Sequence, residues 1–153
     1  MSDLPKIEYT HGCVRVSLNL APYAERQRKA QQWIGDRVLE DCKAHMSLLT
    51  GSLQQRSHTE DDGKKVVFPG PYARYQYGGK VMVDSVTGKG PRKIPTGPGE
   101  FIFRFRKGAK LVPTERPLKY SNPEAVPEWF EHAKKLYLNT WIEGAAKILG
   151  GEK

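Results

Sequence analysis

The sequence predicts an α+β fold: a mainly antiparallel sheet with two helices packed on one face and a long projecting β-hairpin loop, forming one domain over residues 1–153. Three observations carry this. Apolar residues recur every three or four positions in two long stretches, from Tyr23 to about Leu48 and from about Pro127 to Leu149, the period of a helix with one buried face. Short runs between and before them have the alternation or the flanking turn residues of strands. The resulting order, ββ-α-ββββ-α, reads as α+β.

Residues 1–22 supply the first two strands. Lys6–Thr10 reads as a strand, His11-Gly12 as a turn and Cys13–Leu20 as a second strand. In the latter, Val14, Val16, Leu18 and Leu20 alternate with Arg15, Ser17 and Asn19, the period of a half-buried strand. After Pro22 the pattern becomes helical. Ala30, Trp33, Ile34, Val38, Cys42 and Met46 keep helical spacing, with charged residues between them. Gly35 lies inside this helix at a cost of about 1 kcal/mol relative to alanine. Thr50-Gly51 ends it, glycine being the residue that takes a left-handed cap without steric cost.

Ser52–Ser57 reads as a short strand, Glu60–Gly63 as a solvated turn and Lys65–Phe68 as a strand stopped by Pro69-Gly70-Pro71. Tyr72, Tyr75 and Tyr77 crowd the turn that follows. Lys80–Val86 and Glu100–Lys107 are the two strongest strand candidates, the second with Phe101, Phe103 and Phe105 on one face, read as a core face. Between them, residues 87–99 hold four glycines, three prolines and the cations Lys89, Arg92 and Lys93. If the two strands pair, this is a long, flexible basic loop at the tip of a hairpin. Lys110–Ser121, broken by Pro113 and Pro117, reads as irregular. Proline suits a first helical turn, so the last helix starts near Pro127. Its broad apolar face includes Trp129 and Trp141, read as core or interface, and Gly150-Gly151 ends it.

At 153 residues the chain can bury one core. No run approaches the 18 or so apolar residues of a membrane span, and the N-terminus has no signal-peptide pattern. Cys13 and Cys42 form no framework and read as two buried free thiols in a reducing cytosol. The net charge of +8 is unevenly placed. Between Lys64 and Lys119 there are thirteen lysines and arginines against Asp84, Glu100 and Glu115, leaving the remainder slightly acidic. A positive surface of that kind attracts nucleic acid or an acidic partner.

Chemistry-bearing patterns are sparse. His11, His45, His58 and His132 have no metal-ligand spacing, and no nucleophile elbow or phosphate loop occurs. The prolines around Gly88, Gly90, Gly97 and Gly99 remove N–H donors that a phosphate cradle needs. Glu60, Asp61 and Asp62 read as a solvated turn rather than a cation site. The tyrosines beside Arg74 fit either a stacking platform for single strands or rings buried with their hydroxyls at a rim, and the latter is preferred. The expectation is a protein that is not an enzyme, with no cofactor and no metal.

The stretch Thr50-Gly51-Ser52-Leu53-Gln54-Gln55-Arg56-Ser57 resembles the TGxLxxS segment that follows the first helix in tail-completion proteins of long-tailed bacteriophages. Pro71-Tyr72-Ala73-Arg74-Tyr75, followed by Gly79-Lys80-Val81-Met82, is similar to the PYARYxxxGKVM block of the same minor capsid and HK97 gene-product-10-like families. The likeness is greatest to members from phages and prophages of Gram-positive bacteria, which also end in a tryptophan-containing helix. The matching blocks span roughly residues 23–149; the strands before Tyr23 and residues 87–99 lie outside the pattern. The resemblance implies a non-catalytic virion protein, made in the bacterial cytoplasm and placed at the head–tail junction in a ring of copies of itself. It implies head-side connector or portal-adaptor proteins and tail terminator or tail tube proteins as partners, with DNA in the channel as a further contact and no membrane. Thr50, Gly51, Leu53, Pro71, Tyr72, Ala73, Tyr75 and Gly79 then read as architectural, and Lys89, Arg92, Lys93, Trp129 and Trp141 as interface candidates.

Two other readings compete. The basic middle with interleaved aromatics fits a sequence-nonspecific nucleic-acid-binding module, which requires tight binding that falls steeply with salt. A small nuclease or toxin would need an acid–base or metal cluster beside the positive charge.

Overall fold

Twelve elements follow one another in the computed structural model, which describes residues 7–48, 51–70 and 72–150. They are β1 (Ile7–His11), β2 (Val14–Leu18), α1 (Ala21–Ala44), α2 (Ser52–Arg56), β3 (His58–Glu60), β4 (Lys65–Val67), α3 (Ala73–Gly78), β5 (Lys80–Asp84), β6 (Arg92–Gly97), β7 (Glu100–Arg104), β8 (Leu111–Pro117) and α4 (Trp129–Gly150). The fold is α+β and every strand pairing is antiparallel, as expected. The strands, however, form four separate two-stranded sheets: β1–β2, β3–β4, β5–β8 and β6–β7. The core lies chiefly between α1 and α4, because the apolar stripes of the two long helices cover each other instead of a shared sheet. The helices run antiparallel: Trp33 abuts Gly144, the indole of Trp141 donates to Asp41 Oδ2 at 2.7 Å, and the rings of His45 and His132 meet edge-on at 4.7 Å.

α1 starts two residues before the expected Tyr23, since Pro22 fits its first turn, and the Asn19 side chain accepts from the Ala21 N–H at 3.1 Å. It ends at Ala44, before Gly51. The Asn122 amide donates to the carbonyls of Ala44 and Met46, and the Gln54 amide donates to that of Lys43 at 2.8 Å. Distant side chains thus satisfy the carbonyls a helix leaves open at its end. Gly51, at φ 68°, is therefore not the C-cap of α1 but the N-cap of α2. Thr50 lies outside the described residues. Ser52–Arg56 is a helical turn rather than a strand: its sequence has no apolar alternation, and the turn carries Leu53 against the core.

Residues 73–78 are also helical, so Ala73 and Tyr77, four apart, share a face; Ala73 is buried and Tyr77 packs on the core. Gly79 ends this helix at φ 66°, packed so closely on Pro127 that a methyl group there would overlap the proline ring. The Gly79 carbonyl accepts from Leu118 N–H, and the Tyr77 carbonyl from Glu128 N–H, both at 2.8 Å. α3 is thereby tied to the approach to α4.

Strand pairing departs most from expectation. β5 pairs with β8, a strand running through the supposedly irregular 110–121 region; both strands of a two-stranded sheet are edges, where Pro113 and Pro117 are tolerated. Residues 87–99 are not one long loop: β6 occupies most of its second half and pairs with β7 across a tight turn containing Gly99 at φ 80°. The hairpin is therefore short and strand-built, and not a projection between β5 and β7.

Candidate functional site

Two β-hairpins carry many of the large apolar side chains that the core leaves exposed. In β1–β2, Ile7 lies opposite Leu18, Tyr9 opposite Val16 and His11 opposite Val14, so Ile7, Tyr9, Val14, Val16 and Leu18 share a face. Glu8, Thr10, Arg15 and Ser17 share the other. The alternation is as read from the sequence, but the strand is not half-buried: Tyr9 is 62% exposed and Val14 63%. Cys13, at the turn, is exposed as well, contrary to its expected burial, while Cys42 is buried.

In β6–β7, Lys93 and Pro95 share a face with Phe103 and Phe101, and Arg92 and Ile94 share the other with Arg104 and Ile102. Phe101 and Phe103 stack edge-to-face at 5.4 Å, and Lys93 Nζ sits 3.6 Å from the Phe101 ring centroid, a cation–π contact. Of the expected core face, Phe101 and Phe103 are exposed instead, Phe103 at 50%, while Phe105 is half-buried. Lys89 and Arg92 are exposed.

Asp84 holds the base of this hairpin. Its side chain is buried and accepts from Arg106 Nε at 3.1 Å and from the Val86 N–H at 2.9 Å. Its backbone closes the 84–89 turn, donating to Lys89 O and accepting from Gly88 N–H. The Arg106 guanidinium, then the Val86 N–H, hold the Asp84 carboxyl below the usual Asp range. Nothing in the sequence points to this pair, 22 residues apart, beyond one acid in a basic region.

A groove of about 800 Å³ runs between β7 and the α2–α3 region. Its walls include Leu53, Arg56, Pro69, Tyr72 and Ala73 on one side and the consecutive residues Phe101 to Phe105 on the other. Tyr72 is 54% exposed there. Tyr75 lies under the Arg74 guanidinium, 4.9 Å from the ring centroid, and accepts from its Nη2 at 2.8 Å. Tyr77 turns away and packs edge-on against Trp129 at 4.8 Å, so the three tyrosines do not form one platform. Pro71 lies outside the described residues. Trp129 is 1% exposed and Trp141 is also buried, so both are core and neither is interface. Phe68 and Tyr77 pack edge-on against Trp129, and Leu53 packs on the same buried cluster.

The fold brings together His45 and His132, which are 87 residues apart in sequence. The His45 Nδ1 lies 3.3 Å from the Glu124 carbonyl. Among the described residues no group of three or more His, Cys, Asp or Glu is placed to hold a metal, and no helix is long and apolar enough to cross a membrane. Asp61 pairs with Lys65 at 2.5 Å in the turn expected to be solvated. Comparison with protein-family models, with curated proteins and with solved structures gives no match.

Proposed function

We propose that this chain is a structural assembly subunit of a long-tailed phage particle, acting at the head–tail junction and not as an enzyme. Copies of it associate in a ring between head-side connector or portal-adaptor proteins and tail terminator or tail tube proteins. It is made in the bacterial cytoplasm and ends in the virion. One observation supports this most: the hairpins β1–β2 and β6–β7 carry large apolar side chains that the subunit leaves exposed. Contiguous apolar surface of this kind marks a site of protein association. Leu138 and Ile142, one turn apart on α4, are exposed as well. The motif residues Leu53, Ala73 and Gly79 support the same reading as scaffold, since they hold the body from which the arms leave.

The test is deletion of the gene from a producing phage or prophage, with electron microscopy of the lysate. Filled heads and separate tails, rejoined when the protein is supplied in trans, are expected. Normal infectious particles without it would overturn the proposal.

A second reading has its own observation. Arg92 and Arg104 lie opposite each other on one face of a two-stranded ribbon, a shape that fits a nucleic-acid groove. A salt titration with short duplex and single strands tests it; only binding that weakens steeply with salt supports it.

A further inference from the structure

β7 offers its edge, and not merely one face, to the groove. A strand that covers a groove with one face lines it with alternate residues, whereas here Phe101, Ile102, Phe103, Arg104 and Phe105 all line it. Among the described residues β7 pairs only with β6, which leaves its other edge with open N–H and C=O groups there. The remaining edge of the ribbon, on β6, contains Pro95, which lacks a donor. An open edge beside apolar walls is the arrangement that takes up an extended strand by β-addition.

The same chain carries a matching donor. β1 and β2 are five residues long, as is β7, and their hairpin has one apolar and one polar face. Both hairpins are two-stranded, among the described residues each touches the other helices and strands by no more than isolated contacts, and such ribbons are marginal in water until a third strand joins. Resting on the assembly reading above, we propose that the β1–β2 hairpin of one copy docks in the groove of the next. One of its strands pairs with β7 to make a four-stranded intersubunit sheet, and its apolar face lies on the wall formed around Leu53 and Tyr72. Donor and acceptor are different surfaces, so the contact is head-to-tail, and repetition of it closes a ring when the rotation permits.

The experiment uses full-length protein and two exposed-site variants. Val16→Arg places a charge on the donor face, and Phe103→Arg places one at the acceptor edge. Circular dichroism checks that each is folded. In sedimentation velocity the wild type forms closed oligomers. Each variant alone associates about a hundredfold more weakly, the order of losing a buried anchor contact. Mixed together they form a heterodimer and nothing larger, because one intact donor and one intact acceptor remain. In a third variant, Arg104→Cys, a bismaleimide joins the introduced thiol to the native Cys13 and gives a ladder of intermolecular products. Variants that oligomerise like wild type, a mixture with no heterodimer, or a bismaleimide link confined to single chains would each overturn the docking. If the wild type oligomerises and phage particles need it, that failure leaves the assembly role standing. A wild type that stays monomeric at all concentrations and binds only nucleic acid overturns both.

Discussion

Gly144 on α4 is the hollow that receives the Trp33 indole of α1; a methyl group at 144 would overlap the six-membered ring of that side chain. The helices approach so closely here because one has no side chain and the other has the largest. Gly144→Ala therefore does not deliver the roughly 1 kcal/mol that alanine gains over glycine inside an ordinary helix. It is expected to cost about 2 kcal/mol through overpacking, read as a lower midpoint in urea unfolding. In a Trp33→Leu background the penalty should largely vanish, and a double-mutant cycle in which the two changes simply add would contradict the contact.

A second close approach explains Gly35, inside α1. A Cβ on Gly35 would lie 2.5 Å from the carbonyl oxygen of Gly63 and 2.6 Å from its Cα, because the β3–β4 turn rests on the backbone of α1. Gln31 Nε2 donates to the same carbonyl at 3.2 Å. The obstacle is backbone, which cannot swing aside as a side chain can. Gly35→Ala should thus lower stability by about 2 kcal/mol and increase hydrogen exchange in the 58–67 hairpin more than in α4. An alanine variant as stable as wild type would mean the turn does not rest there.

These glycines mark the limit of what was legible. Local periodicity is written in neighbouring residues, so α1, α4, β1–β2 and the turn at 60–63 follow from it. Gly35 was legible only as a weak point of a helix, since its real partner, Gly63, is fixed by tertiary approach. The Phe101, Phe103, Phe105 alternation gives a shared face but not whether anything covers it. Choice of strand partner is non-local too: β5 takes β8 because β7 is already committed to β6 through a tight turn with Gly99. Leu53 and Tyr77 pack on the buried cluster that holds Trp129, a meeting of distant segments that no local pattern states. The Asp84–Arg106 pair and the groove were not, because they exist only once β6–β7 has formed.

The two thiols should behave oppositely. Cys13 is exposed, whereas burial, with Asp41 adding to it, pushes the Cys42 thiol up to about 12. At pH 8 a thiol reagent is expected to label one cysteine quickly and the second only after denaturant is added. Because the folded pKa is above the unfolded value of about 8.5, the neutral Cys42 favours the folded state fully below that pH. Its contribution is lost as pH rises from there towards about 12. Two rapidly reacting thiols in the native protein would refute this assignment.

Asp84 gives the opposite dependence on pH. Arg106 and the Val86 N–H favour its ionised form, so its folded pKa lies below the unfolded value of about 3.9. The stabilisation is present above that unfolded value and disappears as pH falls through the lower folded one. Asp84→Asn keeps the shape but removes the charge that Arg106 pairs with at 3.1 Å. At neutral pH it is expected to lower the thermal midpoint and to speed proteolysis after the basic residues of β6–β7. The two proteins should then converge as the pH falls through the lowered folded value, where wild-type Asp84 is protonated as well. A stability difference that stays constant from about pH 7 to about pH 2 would place the effect of the substitution in packing, and the ion pair would not be what anchors the hairpin.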